Sequence, residues 1–188
     1  MPEVDNRAKE PIAPLLVGPY GHPFHPILVT VPIGAWVCSL VFDVASRISV
    51  NAGLVEGARW LIGIGVIGAL AAAAVGFLDF LTIPAGTAAR RTALLHMGLN
   101  LAVTAAFAAN FGWRLGDNAS ATPWGQLIAS MISVAVLALS GALGGKLAYH
   151  YGVRVADERS QLAGFENDRG RTEGTAARHT TPGAPRAR

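Results

Sequence analysis

Five histidines, a single cysteine and a few carboxylates are the side chains of this 188-residue chain that could do chemistry. Four of the histidines stand where apolar stretches begin or end. His22 and His25 lie in Gly21-His22-Pro23-Phe24-His25-Pro26, just ahead of the first apolar stretch. His96 lies about one turn into the third, and His150 closes the fourth. Imidazole is the commonest protein metal ligand and an axial ligand of haem. A site built from His22, His25, His96 and His150, with His25 and His96 as the leading pair, would therefore suit haem b. The same His22, His25 and His96 with Asp79 would suit a metal ion without porphyrin. A structural polar cluster is the third reading. In it His96 hydrogen-bonds Asp79 or Asn100, and Asp79 pairs with Arg90, Arg91 or Lys146. Phe24, Phe77, Phe80, Tyr149 and Gly76 would offer an aromatic and small-residue lining for a porphyrin. His179 lies in the polar tail and carries no role.

These groups can act together only if the chain brings them to one depth. Hydrophobic residues make up 52% of the sequence and charged residues 14%, against about 25% charged in ordinary soluble domains. The charge that exists crowds the end of the chain. Four apolar stretches read as helices over about 27–46, 58–81, 92–114 and 124–149, each near or above the roughly 20 residues that cross a bilayer. Short connections make neighbouring helices antiparallel. The expected fold is all-α: an integral membrane four-helix antiparallel bundle over 22–153, after an irregular lead-in at 1–21 and before a polar, largely disordered tail at 154–188. No internal repeat is evident. Pro26 suits the first position of helix one, and Pro32 should kink its early part.

Within the bundle, small residues should mark helix contacts: Gly68, Ala72 and Gly76 on the second helix, Gly141 and Gly145 with Ser133 and Ser140 on the fourth. His96, Asn100, Thr104, Asn110 and Arg114 form one stripe of the third helix and should face inward. Asp43 is expected to pair with Arg47 one turn later. Cys38, mid-helix among apolar neighbours, reads as a small buried hydrophobe. A lone cysteine excludes an intramolecular disulfide and a cysteine-based iron–sulfur or zinc centre.

Basic residues set the expected orientation. Lys9, Arg90, Arg91, Lys146, Arg154 and Arg159 share one side, and Arg47, Arg59 and Arg114 the other. The richer side is cytoplasmic, which puts both termini and the histidines at the inner face of a bacterial plasma membrane. A net charge of +3, without a basic run interleaved with aromatics, argues against nucleic acid. The start lacks a secretory signal pattern, so the first helix is expected to be retained. No nucleophile–base pair, phosphate loop or dinucleotide fingerprint is present, and no broken-helix pair suggests a transporter.

The motif Gly21-His22-Pro23-Phe24-His25-Pro26 followed by Leu28-Val29 and Pro32-Ile33-Gly34 resembles the opening of a bacterial membrane family, domain of unknown function 2231. Gly76-Phe77 with Asp79 and Ile83-Pro84, His96 with Asn100, and Gly144-Gly145 with Leu147, Tyr149 and Gly152-Val153 resemble its later blocks. The resemblance spans about residues 18–155. It implies a four-helix membrane protein without assigned activity. Some relatives carry a fused Rieske domain, and the fold is similar to small b-type cytochromes, which implies electron transfer with a separate redox partner protein. An accessory membrane protein that binds no cofactor and docks a partner through its tail is the alternative.

Overall fold

The computed structural model describes residues 24–155 and Gln161. Contacts divide the chain into Met1–Val155, which holds every helix discussed below, and Ala156–Arg188. The expected lead-in, His22 and nearly all of the expected tail lie outside the described residues.

Helix α1 (Phe24–Leu28) and α2 (Thr30–Ser49) are one span interrupted at Val29. The interruption falls beside Leu28, the residue whose carbonyl the ring of Pro32 crowds four positions on. Helix α3 is Ala52–Leu81, α4 is Ala88–Arg114 and α5 is Trp124–Gly145, extended by a π-helical turn over Lys146–His150. Four spans of 26, 30, 27 and 27 residues are long and apolar enough to cross a membrane. The expected all-helical bundle is therefore present. Its ends run further than the apolar stretches suggested. Helix α3 starts six residues before Ala58 because Asn51 caps it, accepting from the Gly53 amide at 2.8 Å. Helix α4 starts at Ala88 because the Thr87 hydroxyl accepts from the Arg90 amide at 3.2 Å. In both cases the first turn is polar enough to read as loop, yet its caps satisfy the free amides. His25 consequently lies inside the first turn of α1 rather than before it.

The four spans form two hairpins of the same design, which corrects the absence of a repeat expected from sequence. The buried residues of α2 include Pro32, Trp36, Ser39 and Asp43, and those of α4 include Val103, Phe107, Asn110 and Arg114, each 71 positions later (32 and 103, 36 and 107, 39 and 110, 43 and 114). On the second helices the spacing is 68. Ala58, Ile62, Gly65 and Ala72 of α3 correspond to Gln126, Ser130, Ser133 and Ser140 of α5, all buried. The interlocking repeats as well. A Cβ on Gly57 would meet the Phe42 ring at 2.9 Å, and one on Gly125 would meet Trp113 at 2.7 Å. Gly76 likewise faces His25 and Gly144 faces His96.

Equivalent residues of the two hairpins touch each other. Trp36 stacks on Phe107 with ring centroids 4.3 Å apart and planes 13° from parallel. His25 meets His96, and Asp43 meets Arg114. A residue contacts its own equivalent only near the operator that relates them. Three such pairs, 11 and 7 positions apart along the helices, mark a pseudo-two-fold axis running with the bundle. Both hairpins run in the same direction, so this is a parallel repeat with its axis along the membrane normal.

Trp36, Ile62, Val103, Phe107 and Leu137 form the apolar centre. The indole lies flat enough on α3 that a Cβ on Gly65 would sit 2.3 Å from Nε1, which donates to the Ile62 carbonyl at 3.3 Å. The small residues expected to mark contacts do so on α3. On α5 the expected Gly141 and Gly145 do not: Gly141 has open space and Gly145 only its own helix's Tyr149, while Gly144 makes the contact. Cys38 is exposed on the lipid-facing side, not buried, because it is two positions past Trp36 and turned away from the axis. Trp113 and Trp124 are exposed at one end of the bundle and Tyr149 at the other, as amphipathic rings at the two membrane surfaces should be.

Gly65→Ala should force the Trp36 indole from its seat and cost about 1–3 kcal/mol, typical of overpacking a close contact, while Gly141→Ala should cost nothing measurable. Thermal unfolding of both variants in detergent checks this; equal melting temperatures would contradict the close fit.

Candidate functional site

His25 and His96 come together from different hairpins, with ring centroids 6.5 Å apart and planes at 83°. Each imidazole is fixed in the same way. His25 Nδ1 is 2.9 Å from the Ala72 carbonyl of α3, and His96 Nδ1 is 2.8 Å from the Ser140 carbonyl of α5. A carbonyl can only accept, so both rings carry their hydrogen on Nδ1 and have Nε2 as their acceptor nitrogen. The glycine one turn further along each supporting helix allows this approach: a Cβ on Gly76 would be 2.7 Å from His25 Cε1, and one on Gly144 would be 3.0 Å from His96 Cε1. Any larger residue would lift the ring off its carbonyl.

The two environments differ in one layer. Asn100 Nδ2 donates to the His96 carbonyl at 2.9 Å and lies 3.1 Å from Nε2 and 3.4 Å from Nδ1. The Nε2 of His96 thus accepts from the Asn100 amide, the nearer of its two contacts with the ring. Val29 is the equivalent of Asn100 and offers His25 no such donor. On the other side Asp79 lies within electrostatic reach of His25. It pairs with Arg154, whose Nε is 3.1 Å from Oδ1. This corrects the expected pairing of Asp79 with Arg90, Arg91 or Lys146. Arg154 follows the π-helical turn with φ +57, a left-handed conformation that aims its largely buried side chain back at α3. Arg90 instead donates to the Ile83 carbonyl at 2.6 Å and covers the Phe80 ring, Arg91 is exposed, and Lys146 faces Tyr151.

The model family for predicted membrane proteins, DUF2231, matches residues 21–157. The chain belongs to this family. No curated protein and no solved structure matches it. Of the histidines singled out in this DUF2231 protein, His25 and His96 share the site. His150 does not: it is exposed and packs against Tyr151, with centroids 4.8 Å apart. His22 is outside the described residues. Among those residues no group of three or more His, Cys, Asp or Glu converges as a metal site would. Tyr149 is 91% exposed and lines nothing, whereas Phe80 is covered by Arg90.

Sequence reasoning missed a second polar centre at the opposite end of the bundle. Asp43 and Arg114 are fully buried and joined by two parallel hydrogen bonds, Nη1 to Oδ1 at 2.6 Å and Nη2 to Oδ2 at 2.8 Å. The expected partner Arg47 turns outward: it donates to the Thr122 carbonyl and covers the Trp124 ring. A helix brings Arg47 near Asp43, but only Arg114 approaches along the axis, where water cannot compete. Thr122 donates to Asp43 Oδ1, Arg114 Nε donates to Asn110 Oδ1, and Ser130 accepts from both Arg114 and Asn110. Asp117 accepts from Gln126. The inward stripe expected on α4 is thus present, with Asn110 and Arg114 at its most buried end.

Nitrogen-15 spectra of histidine-labelled protein should show two rings, His25 and His96, locked with hydrogen on Nδ1, while exposed His150 averages between tautomers. Averaged signals for all rings would contradict the carbonyl anchoring.

Proposed function

We propose that this DUF2231 membrane protein holds a b-type haem between His25 and His96 and passes single electrons to a separate redox partner protein. The observation that carries the reading is the paired imidazoles, one from each hairpin, each anchored through Nδ1 to a main-chain carbonyl. Carbonyl-anchored Nδ1 is how ligating histidines are generally oriented and made more basic. His25 and His96 would hold the haem between them, their ring centroids being 6.5 Å apart. A porphyrin brings four nitrogens of its own, so two protein ligands suffice. A lone metal ion would need further ligands, and among the described residues no third ligating group joins the pair.

A haem held there supplies one-electron oxidation and reduction. The protein's own part is orientation. Ala72 and Ser140 fix the rings, Gly76 and Gly144 let them lie close, and Asn100 holds the His96 face. The Asp79–Arg154 pair sets the local charge. The Trp36–Phe107 stack closes the site on the side of the axis away from its helix ends. The chain has one cysteine, exposed Cys38, so iron–sulfur chemistry belongs to the partner.

The orientation belongs to the same reading. Arg90, Arg91, Lys146 and Arg154 stand at the imidazole end. The other end has three basic residues, Arg47, Arg59 and Arg114, the last of them buried in its ion pair with Asp43. By the positive-inside tendency the imidazole end and both termini face the cytoplasm of a bacterial plasma membrane.

Protein produced with haem in supply and purified in mild detergent should show a Soret band that sharpens and shifts with dithionite. His25→Ala and His96→Ala should each remove most of it, and His150→Ala should leave it unchanged. A folded protein without a Soret band sinks the reading.

A further inference from the structure

The pseudo-two-fold axis creates a pairing problem. Each hairpin presents the same kind of surface to the other, so in two copies of the chain a first hairpin could dock on a first hairpin by the same packing. Most positions on the axis would permit it. His25 and His96 are the same residue. Trp36 and Phe107 are both flat aromatics. Ser39 and Asn110 are both small and polar, and the ring-into-glycine contacts of Phe42 on Gly57 and Trp113 on Gly125 are alike. One pair of equivalent positions differs in sign: Asp43 and Arg114, fully buried and bidentate. Pairing like hairpins would bring two carboxylates or two guanidiniums together at a depth where water cannot screen them. A buried ion pair contributes little net stability over apolar residues of similar size, and its best attested use is to specify pairing.

We propose that Asp43 and Arg114 are a matching code between the two halves. They make the first hairpin complementary to the second and exclude the same hairpin of a second copy of this chain. The surrounding hydroxyls are arranged for this assignment. Ser46 and Thr122 lie on the Asp43 side and Asn110 and Ser130 on the Arg114 side. The proposal needs no cofactor and stands apart from the haem reading.

The test uses full-length chains with two different affinity tags. Arg114→Asp puts an acid at both axis positions, and Asp43→Arg puts a base at both. Produced together, these two variants should exchange hairpins, so each tag captures the other chain several-fold more than in a wild-type pair. In one chain, Asp43→Arg with Arg114→Asp should regain most of the monomer and melting temperature that either single reversal loses. If both single variants reach the membrane and capture no more than wild type, the matching code is wrong. If neither accumulates, the double reversal decides: recovery supports the code, and behaviour no better than the single variants overturns it.

Discussion

Inside hydrocarbon no water can take a hydrogen bond from a side chain, so every polar group carried into the span must find its partner within the bundle. In this chain the main partnerships between helices lie along one line, the axis between two hairpins, while Gln126 Oε1 is buried without a partner among the described residues. At one end lie two imidazoles, each anchored to a main-chain carbonyl. In the middle lies an aromatic stack. At the other end lies an ion pair whose oxygens and nitrogens are shared among Thr122, Asn110 and Ser130. The outward faces carry Val, Ile, Leu and Ala, which need no partner in lipid.

The three layers hold by different means. The Trp36–Phe107 stack gains from contact area and ring geometry, about 0.5–1.5 kcal/mol beyond burial for such a pair. It depends on the indole lying against Gly65. The ion pair sits near balance: desolvation of two charges is set against their attraction and the added hydrogen bonds, so its loss on one side costs far more than its presence gains. Each imidazole is held by a main-chain carbonyl, and His96 also by the Asn100 amide and the Ser140 hydroxyl. Glycine decides the spacing in the imidazole layer, at the Trp36 indole and in the knob contacts of Phe42 and Trp113. At these places a helix must come close enough for its carbonyl, or its bare backbone, to meet a ring.

The spans were legible because long apolar runs with few charges leave a chain no alternative but helices across a bilayer. Their ends were not. Glu56 and Gly57, or Arg90 and Arg91, look like loop residues until Asn51 and Thr87 are recognised as caps. The inward face of α4 was legible from its polar stripe. The partner of Asp43 was not, because sequence offers the residue one turn away first, and Arg47 satisfies that rule without being the partner. The convergence of His25 with His96 followed from topology alone, whereas the place of His150 depended on a π-helical turn that no apolar period announces. The repeat stayed hidden because the hairpins share burial more than residue type. Ile62 corresponds to Ser130 and Ala58 to Gln126, so the match appears only when exposure is known.

The departures from symmetry bear most on chemistry. A symmetric frame gives His25 and His96 the same anchor and the same glycine seat, so nothing in the frame distinguishes the two sides of whatever lies between them. The distinction comes from residues one layer out. Asn100, where the other hairpin has Val29, sets an amide against His96. Asp79, where the other hairpin has Leu147, sets a carboxylate near His25 and ties it to Arg154. One side of the imidazole pair is thus faced by a neutral amide and the other by an ion pair. A duplicated scaffold supplies two matched rings, and single unmatched residues make their surroundings unequal.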